Sequence, residues 1–375
     1  MGESLVSLHK KRHAAEKAAA QAGAATETAP QTVSQAEPEK IDESKRWWML
    51  NAAKGVAAIT AYSAIPTVLQ EGLAHARNLE GVEGKKQLEA VLDAAIEVMQ
   101  RAAHSPEIVR ALNGEGDRLI STVLSAMQSP IDRSLIAGTK YDASIERRRY
   151  SVQIVGRVTN GELKVSFRSL QRYSANLESA GYCNGFFLTP DLFVTTQHFF
   201  DENLNVAPTS FRDIRVISVP ENMRARPEQI IRDDTSLSNA EIHGAFVSIE
   251  GIHRGDDTND EESYPSVAFR VGRKFAERVF AGCPRYEIER NARSFMMVLP
   301  PGESVEIGNT KKARTAGMSG APVWMYRNGD RVLAGIFRSC KAIKDPRTGR
   351  TIDVAFFHGI EDVREELAHK KRTGA

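Results

Sequence analysis

Two stretches of the chain place reactive side chains on backbone able to aim them. In Gly185-Phe-Phe-Leu-Thr-Pro-Asp-Leu-Phe-Val-Thr-Thr-Gln-His198, two apolar runs flank a Pro190-Asp191 turn. Proline presets φ and the aspartate bonds locally, so the segment reads as strand, turn, strand, with a histidine just past the second run. An imidazole held there faces a cleft from rigid backbone and titrates near neutral pH. In Thr315-Ala-Gly-Met-Ser-Gly-Ala-Pro322, Gly317, Ser319 and Gly320 permit a tight bend that turns backbone N–H groups toward one point. Acyl transfer needs such a set: a hydroxyl to attack, a base for its proton, and amide donors for the developing oxyanion.

The elements that must carry these residues are short and mostly extended. After Tyr150, β-branched and aromatic runs alternate with turn signals: Tyr150–Arg157, Leu163–Phe167, Gly185–Leu188, Leu192–Thr196, Ile214–Val219, Ala245–Ile249, Val267–Val271, Ser294–Leu299, Ala321–Met325 and Val332–Phe337. Asn160-Gly161 and Asn328-Gly329 are hairpin signals. Many short strands at this spacing predict a sandwich or a pair of barrels. Glu361 to Lys371 reads as a charged amphipathic helix.

The N-terminal part differs. Residues 1–45 are rich in Ala, Glu, Gln, Thr and Lys and poor in large apolar side chains, and read as a disordered or loosely helical tail. Residues 46–145 have helical periodicity, clearest where Leu88, Val91, Leu92, Ala95, Ile96 and Met99 recur along Lys86–Ala103. Ser105-Pro106-Glu107 looks like a cap followed by proline at the first helical position. That second helix is expected to run through Leu112 to Met127, with breaks at Gly114 and Gly116. Its stripes read as core or partner-packing faces, open to self-association or a protein partner. Glu146-Arg-Arg-Arg-Tyr150 reads as a charged linker rather than a nucleic-acid patch.

Composition narrows the functional classes. Of 375 residues 41% are hydrophobic and 26% charged, which suits a soluble protein of two domains, and a net charge of +2 gives no global attraction to nucleic acid or membrane. Cys183, Cys283 and Cys340 are too few and scattered for a disulfide framework or a metal knuckle, and read as reduced thiols in a cytoplasmic protein. Neither a cofactor nor a metal is expected; the acidic run Asp256–Glu262 lacks the pattern of a calcium loop. The N-terminus lacks a signal-peptide core, and Trp47–Leu69 is interrupted by Asn51 and Lys54, so a buried helix is favoured there over an interfacial one.

Gly317-Met-Ser-Gly-Ala-Pro322 resembles the GxSGxP signature of trypsin-like (chymotrypsin-fold) serine proteases, and Phe187–His198 resembles their strand–turn–strand before the catalytic histidine. The order, histidine before serine, agrees, and the resemblance covers about residues 150–370. It implies two antiparallel six-stranded β-barrels with a cleft between them over residues 146–370, and a separate α-helical region before them. The compact interval between the two residues is closer to viral and bacterial members than to digestive ones. The resemblance implies a serine endopeptidase acting on protein or polyprotein, with Ser319 as nucleophile, His198 as base, and the N–H groups of Gly317 and Ser319 as oxyanion hole. It also implies that the strand Val332–Arg338, with Gly335, binds substrate backbone, and that Thr315 and Arg338 favour an acidic or polar residue at the cleavage site. Cys183 stands where disulfide-bonded relatives have one half-cystine, but the partner position is Phe199.

The acid departs from the family pattern. The strands that fit D-x-A-apolar-apolar begin with Ser266 and His243, neither a carboxylate. Asp257 is the choice, with Asp256, Asp260, Asp234, Glu241 or no acid at all as alternatives. The other class of function is a protease-fold interaction protein with reduced or lost activity. His243, His253 and His358 read as structural.

Overall fold

The computed structural model describes residues 81–114, 138–141, 150–159, 162–167, 181–207, 212–252, 261–299, 304–307, 310–313, 317–327, 330–344 and 349–373, with positions 71, 74, 116, 117, 124, 136 and 315. The N-terminal tail, Trp47–Leu69, Arg147–Arg149, His253, Asp256, Asp257 and Asp260 lie outside these.

Two helices come first. In α1 (Gly81–Ala103), Leu88, Val91, Leu92, Ala95 and Met99 are buried on one face, as their spacing requires. The Ser105 hydroxyl accepts the Ile108 N–H at 3.2 Å and Pro106 opens α2 (Pro106–Leu112). The helical ladder breaks at Gly114, as expected, where φ turns to 89° in a left-handed exit; Asp117 and Leu124 are helical again, and the rest of the stretch to Met127 lies outside the described residues.

Two curled antiparallel sheets follow. The first is built from β1 (Val152–Thr159), β2 (Glu162–Phe167), β3 (Gly181–Thr189), β4 (Leu192–Thr196) and β5 (Ile214–Ser218), in the order β2-β1-β3-β4-β5. The second contains β6 (Phe246–Ile252), β7 (Glu261–Val267), β8 (Phe269–Arg270), β9 (Phe295–Val298), β12 (Pro322–Arg327), β13 (Asp330–Lys344) and β14 (Thr351–Gly359), in the order β7-β6-β12-β13-β14-β9-β8. A separate hairpin joins β10 (Ser304–Ile307) to β11 (Thr310–Ala313). The registers close on Thr159↔Glu162 and Arg327↔Asp330, leaving only Asn160-Gly161 and Asn328-Gly329 between those strands.

The strands thus divide five and seven among the described residues, not six and six. Between β4 and β5 the chain inserts α3 (His198–Leu204) and, among the described residues, no further strand. Ahead of β6 lies the single turn α4 (Asn239–Ile242). Between β8 and β9 it inserts α5 (Arg273–Val279) and α6 (Arg285–Asn291), and α7 (Ile360–Thr373) closes the chain.

The helices α1 and α2 share one core with the larger sheet. Leu92, Ile108 and Leu112 belong to the same buried cluster as Phe246, Phe269, Phe275 and Phe356. The helices ahead of the sheets, expected from the sequence, thus bury their apolar face together with residues of the larger sheet. A second cluster, including Phe186, Val194, Met318, Ala321 and Phe337, carries residues of both sheets. The site lies at its margin.

Candidate active site

His198 is the first residue of α3, two positions past the end of β4 rather than on the strand itself. Its neighbour across the sheet is Asp213, immediately before β5. The ladder Thr196↔Ile214 brings the two strand ends together, and Gln197 N donates to Asp213 O at 3.3 Å. Asp213 adopts φ 56°, a left-handed conformation that aspartate tolerates better than most residues. The bend folds its carboxylate back onto the start of α3. Oδ1 accepts the His198 backbone N–H at 2.7 Å, and Oδ2 lies 2.8 Å from His198 Nδ1. Asp213 is fully buried, whereas 24% of the His198 side chain reaches solvent.

The electrostatics follow. Burial alone would push Asp213 up, but the His198 charge and hydrogen bond, then Arg338 and Arg290, hold it well below the usual carboxylate range. Burial alone would push His198 down; the charge and hydrogen bond of Asp213, with Glu202 behind, outweigh it, Arg338 opposes them, and the net shift is upward. With Nδ1–H held by the carboxylate, Nε2 is the free nitrogen, and it makes no hydrogen bond among the described residues.

Ser319 arrives from the other sheet. Met318 and Ala321 are fully buried in the shared core and Ser319 is half-buried between them, so the core anchors the loop on both sides of the serine. Gly317 and Gly320 take φ 88° and 89°, which makes the bend. Met318 N donates inward to Thr315 O at 3.0 Å, while the N–H groups of Gly317 and Ser319 meet no acceptor among the described residues. Gly320 N donates to Phe337 O at 2.7 Å and Phe337 N to Ala321 O at 2.8 Å, tying the loop to β13.

Two neighbouring residues of β3 dock this loop against the histidine's strand. Asn184 N donates to Ser319 O at 2.6 Å, and the Cys183 thiol lies 2.8 Å from the same oxygen. That sulfur also touches Thr195 Oγ1 at 3.1 Å and Thr196 Oγ1 at 3.2 Å, just ahead of His198. The Asn184 carboxamide donates to Gly317 O at 2.7 Å and to Ile252 O at 2.8 Å, and accepts from Ile252 N at 2.9 Å. One buried amide thus fixes the Ser319 loop to β6. Burial pushes the Cys183 thiol up to about 11, so it is a neutral packing group.

The remaining expected residues sit elsewhere. Thr315 is buried with its hydroxyl 2.6 Å from Cys340 Sγ. Gly335 pairs on both sides, with Val323 and Gly359, and a Cβ there would stand 1.9 Å from His358 O. Its lack of a side chain lets β13 close on β14; neither edge is open to a substrate strand at that point. Arg338 is 5% exposed and spends its guanidinium inside the protein: Nε donates to Asp213 Oδ2 at 3.1 Å, Nη1 to Asn291 Oδ1 at 2.7 Å and Nη2 to Glu287 Oε2 at 2.7 Å. Asp234 and Glu241 pair with Arg327, away from the imidazole.

Asp213 escaped sequence reasoning. Its one local signal is an aspartate directly before the alternating run Ile214-Arg-Val-Ile217, without the alanine of the pattern sought. His243 is structural, with Nε2 2.6 Å from Ala103 O and Nδ1 accepting from Arg270 N at 3.0 Å. No group of three or more metal-ligating side chains occurs among the described residues, nor any helix long and apolar enough to cross a membrane.

No protein-family model matches the chain, and no curated protein does. Among solved structures the chain is similar to HL collagenase, with 13% identity over 61% of this chain and 94% of that one and a TM-score of 0.36.

Proposed function

We propose that the chain is a serine endopeptidase whose catalytic set is Ser319, His198 and Asp213. The observation that carries this reading is the imidazole braced by a buried carboxylate, with the nucleophile loop docked through Cys183 and Asn184 onto the strand that leads to it.

In this mechanism the Ser319 hydroxyl attacks the scissile carbonyl carbon and His198 Nε2 takes its proton. The electron pair of the C=O bond moves to oxygen, which receives the N–H groups of Gly317 and Ser319. Asp213 keeps Nδ1 protonated and stabilises the imidazolium without taking the proton itself. The imidazolium then gives its proton to the leaving amine as the C–N bond breaks. Water, deprotonated by the same nitrogen, attacks the acyl-enzyme and frees Ser319. The substrate backbone would lie along β13 past Phe337, where the strand has left β12 and pairs only with β14 among the described residues. This moves the docking edge from Gly335 to Arg338–Cys340.

The test is labelling of the purified protein by a fluorophosphonate probe, beside Ser319→Ala and His198→Ala. Labelling of the wild type alone is expected. Labelling that persists in Ser319→Ala would refute the assignment of the nucleophile, and an unlabelled wild type would favour a protease-fold binding protein.

A further inference from the structure

Resting on the catalytic reading above, we propose that Arg338 is a positioning residue: clamped between Asp213 and helix α6, it fixes the carboxylate behind His198 and sets the pH at which the imidazole works. Asp213 Oδ2 is shared by two donors, His198 Nδ1 at 2.8 Å and Arg338 Nε at 3.1 Å. The far side of the guanidinium is held by Glu287 and Asn291, each at 2.7 Å. These residues stand four positions apart on α6 and so face the same way. The planar fork of arginine fits three acceptors at once, which an ammonium on a flexible stem does not.

The helix end of the clamp is itself braced. Asn291 Nδ2 donates to Glu287 O at 2.7 Å, and Arg290 Nη1 meets Glu287 Oε1 at 3.3 Å. The position of the acid therefore depends on the helical insert between β8 and β9 as well as on the strands that carry Asp213 and His198.

The electrostatic consequence has a definite sign. Asp213 and Glu287 are balanced by Arg338 and Arg290 before the imidazole takes a proton. Glu202 from α3 also favours the imidazolium; nearby, His358 from β14 is pushed down to about 3 by burial first and Arg338 next, with Arg290 and Arg212 adding to the effect, and so stays neutral. Arginine cannot shed its charge. Protonation of His198 always occurs against it, and Arg338 holds the imidazole's titration below the value Asp213 alone would give.

The experiment reads the His198 imidazole by NMR in full-length protein carrying Ser319→Ala, with its resonance assigned by loss in His198→Gln. Arg338→Met should move the midpoint to higher pH, Arg338→Lys should leave it near the parent, and Glu287→Gln should move it lower. Opposite shifts are expected because the two substitutions remove opposite charges. Arg338→Met combined with Glu287→Gln avoids leaving an unpaired buried glutamate, keeps the test open if the single variant does not fold, and should still raise the midpoint. An unchanged midpoint in either methionine variant would overturn the proposal. With Ser319 present, Arg338→Met should lower kcat by about a hundredfold with KM little changed, as for a misplaced catalytic group. Unchanged kcat with raised KM would instead make Arg338 a substrate contact. The NMR titration does not require turnover, so an inactive wild type would sink the protease reading and leave this one decided on its own terms.

Discussion

At the scale of the residue, the decisive contact is Asp213 with His198. Asp213→Asn would keep the shape but present an amide to Nδ1, favouring the wrong imidazole tautomer. In a Ser-His-Asp hydrolase this costs about ten-thousandfold in kcat, and a loss of that order is expected here. The pH profile gives a second check. The carboxylate raises His198, so its removal should shift the acid limb of kcat/KM to lower pH; a shift to higher pH would mean that another group acts as the acid. The bends that carry His198 and Ser319 are legible from sequence because turn chemistry is local: Pro190-Asp191 announces one, and Gly317 with Gly320 the other. Asp213 is not legible. Its place beside His198 comes from a left-handed bend and from strand register, and neither leaves a composition signal. Arg338 stands in the expected neighbourhood but faces the opposite way, since nothing in the chain tells whether a guanidinium points to a pocket or to the interior.

Among the elements, the Ser319 loop depends on close backbone approach. At Gly320, with φ 89°, a Cβ would lie 1.8 Å from Asn184 O. Gly320→Ala should cost at least about 2 kcal/mol, the left-handed strain plus the displacement of β3. Gly282 is the control: φ is 84°, but nothing lies within 4 Å of where an alanine methyl would stand, so Gly282→Ala should cost only about 1 kcal/mol. Urea unfolding of the two variants compares them; equal losses would remove Asn184 as the cause. Leu192–Thr196 is legible to the residue because its apolar run is bounded by Asp191 and Gln197. By contrast, β7 has Glu261, Glu262 and Pro265 within it and β14 has Asp353, which mask a strand pattern. The short α5 offers only Phe275 and Ala276 as buried positions, too few to establish a helical period.

Across the whole molecule, the shared core makes the helices and the larger sheet interdependent. Leu92 on α1 is 1% exposed in the cluster that includes Phe246 and Phe356. Leu92→Ala should destabilise the chain by about 2–5 kcal/mol. Far-UV ellipticity and Trp324 fluorescence, read with Trp47 and Trp48 changed to Phe, should report one coincident transition. Early helical melting with the Trp324 signal intact would show that α1 is dispensable. Sequence periodicity locates that apolar face correctly, but no stripe names its partner.

The aspartate and histidine lie only 15 positions apart, just beyond the paired ends of adjoining strands of a single sheet. Loop closure for so short a span carries a small entropic penalty, whereas Ser319 must be delivered from 136 positions beyond Cys183, the residue that receives it. A chain in which only the first sheet has formed therefore already holds the Asp213–His198 pair, and the docking of the Ser319 loop onto β3 comes later.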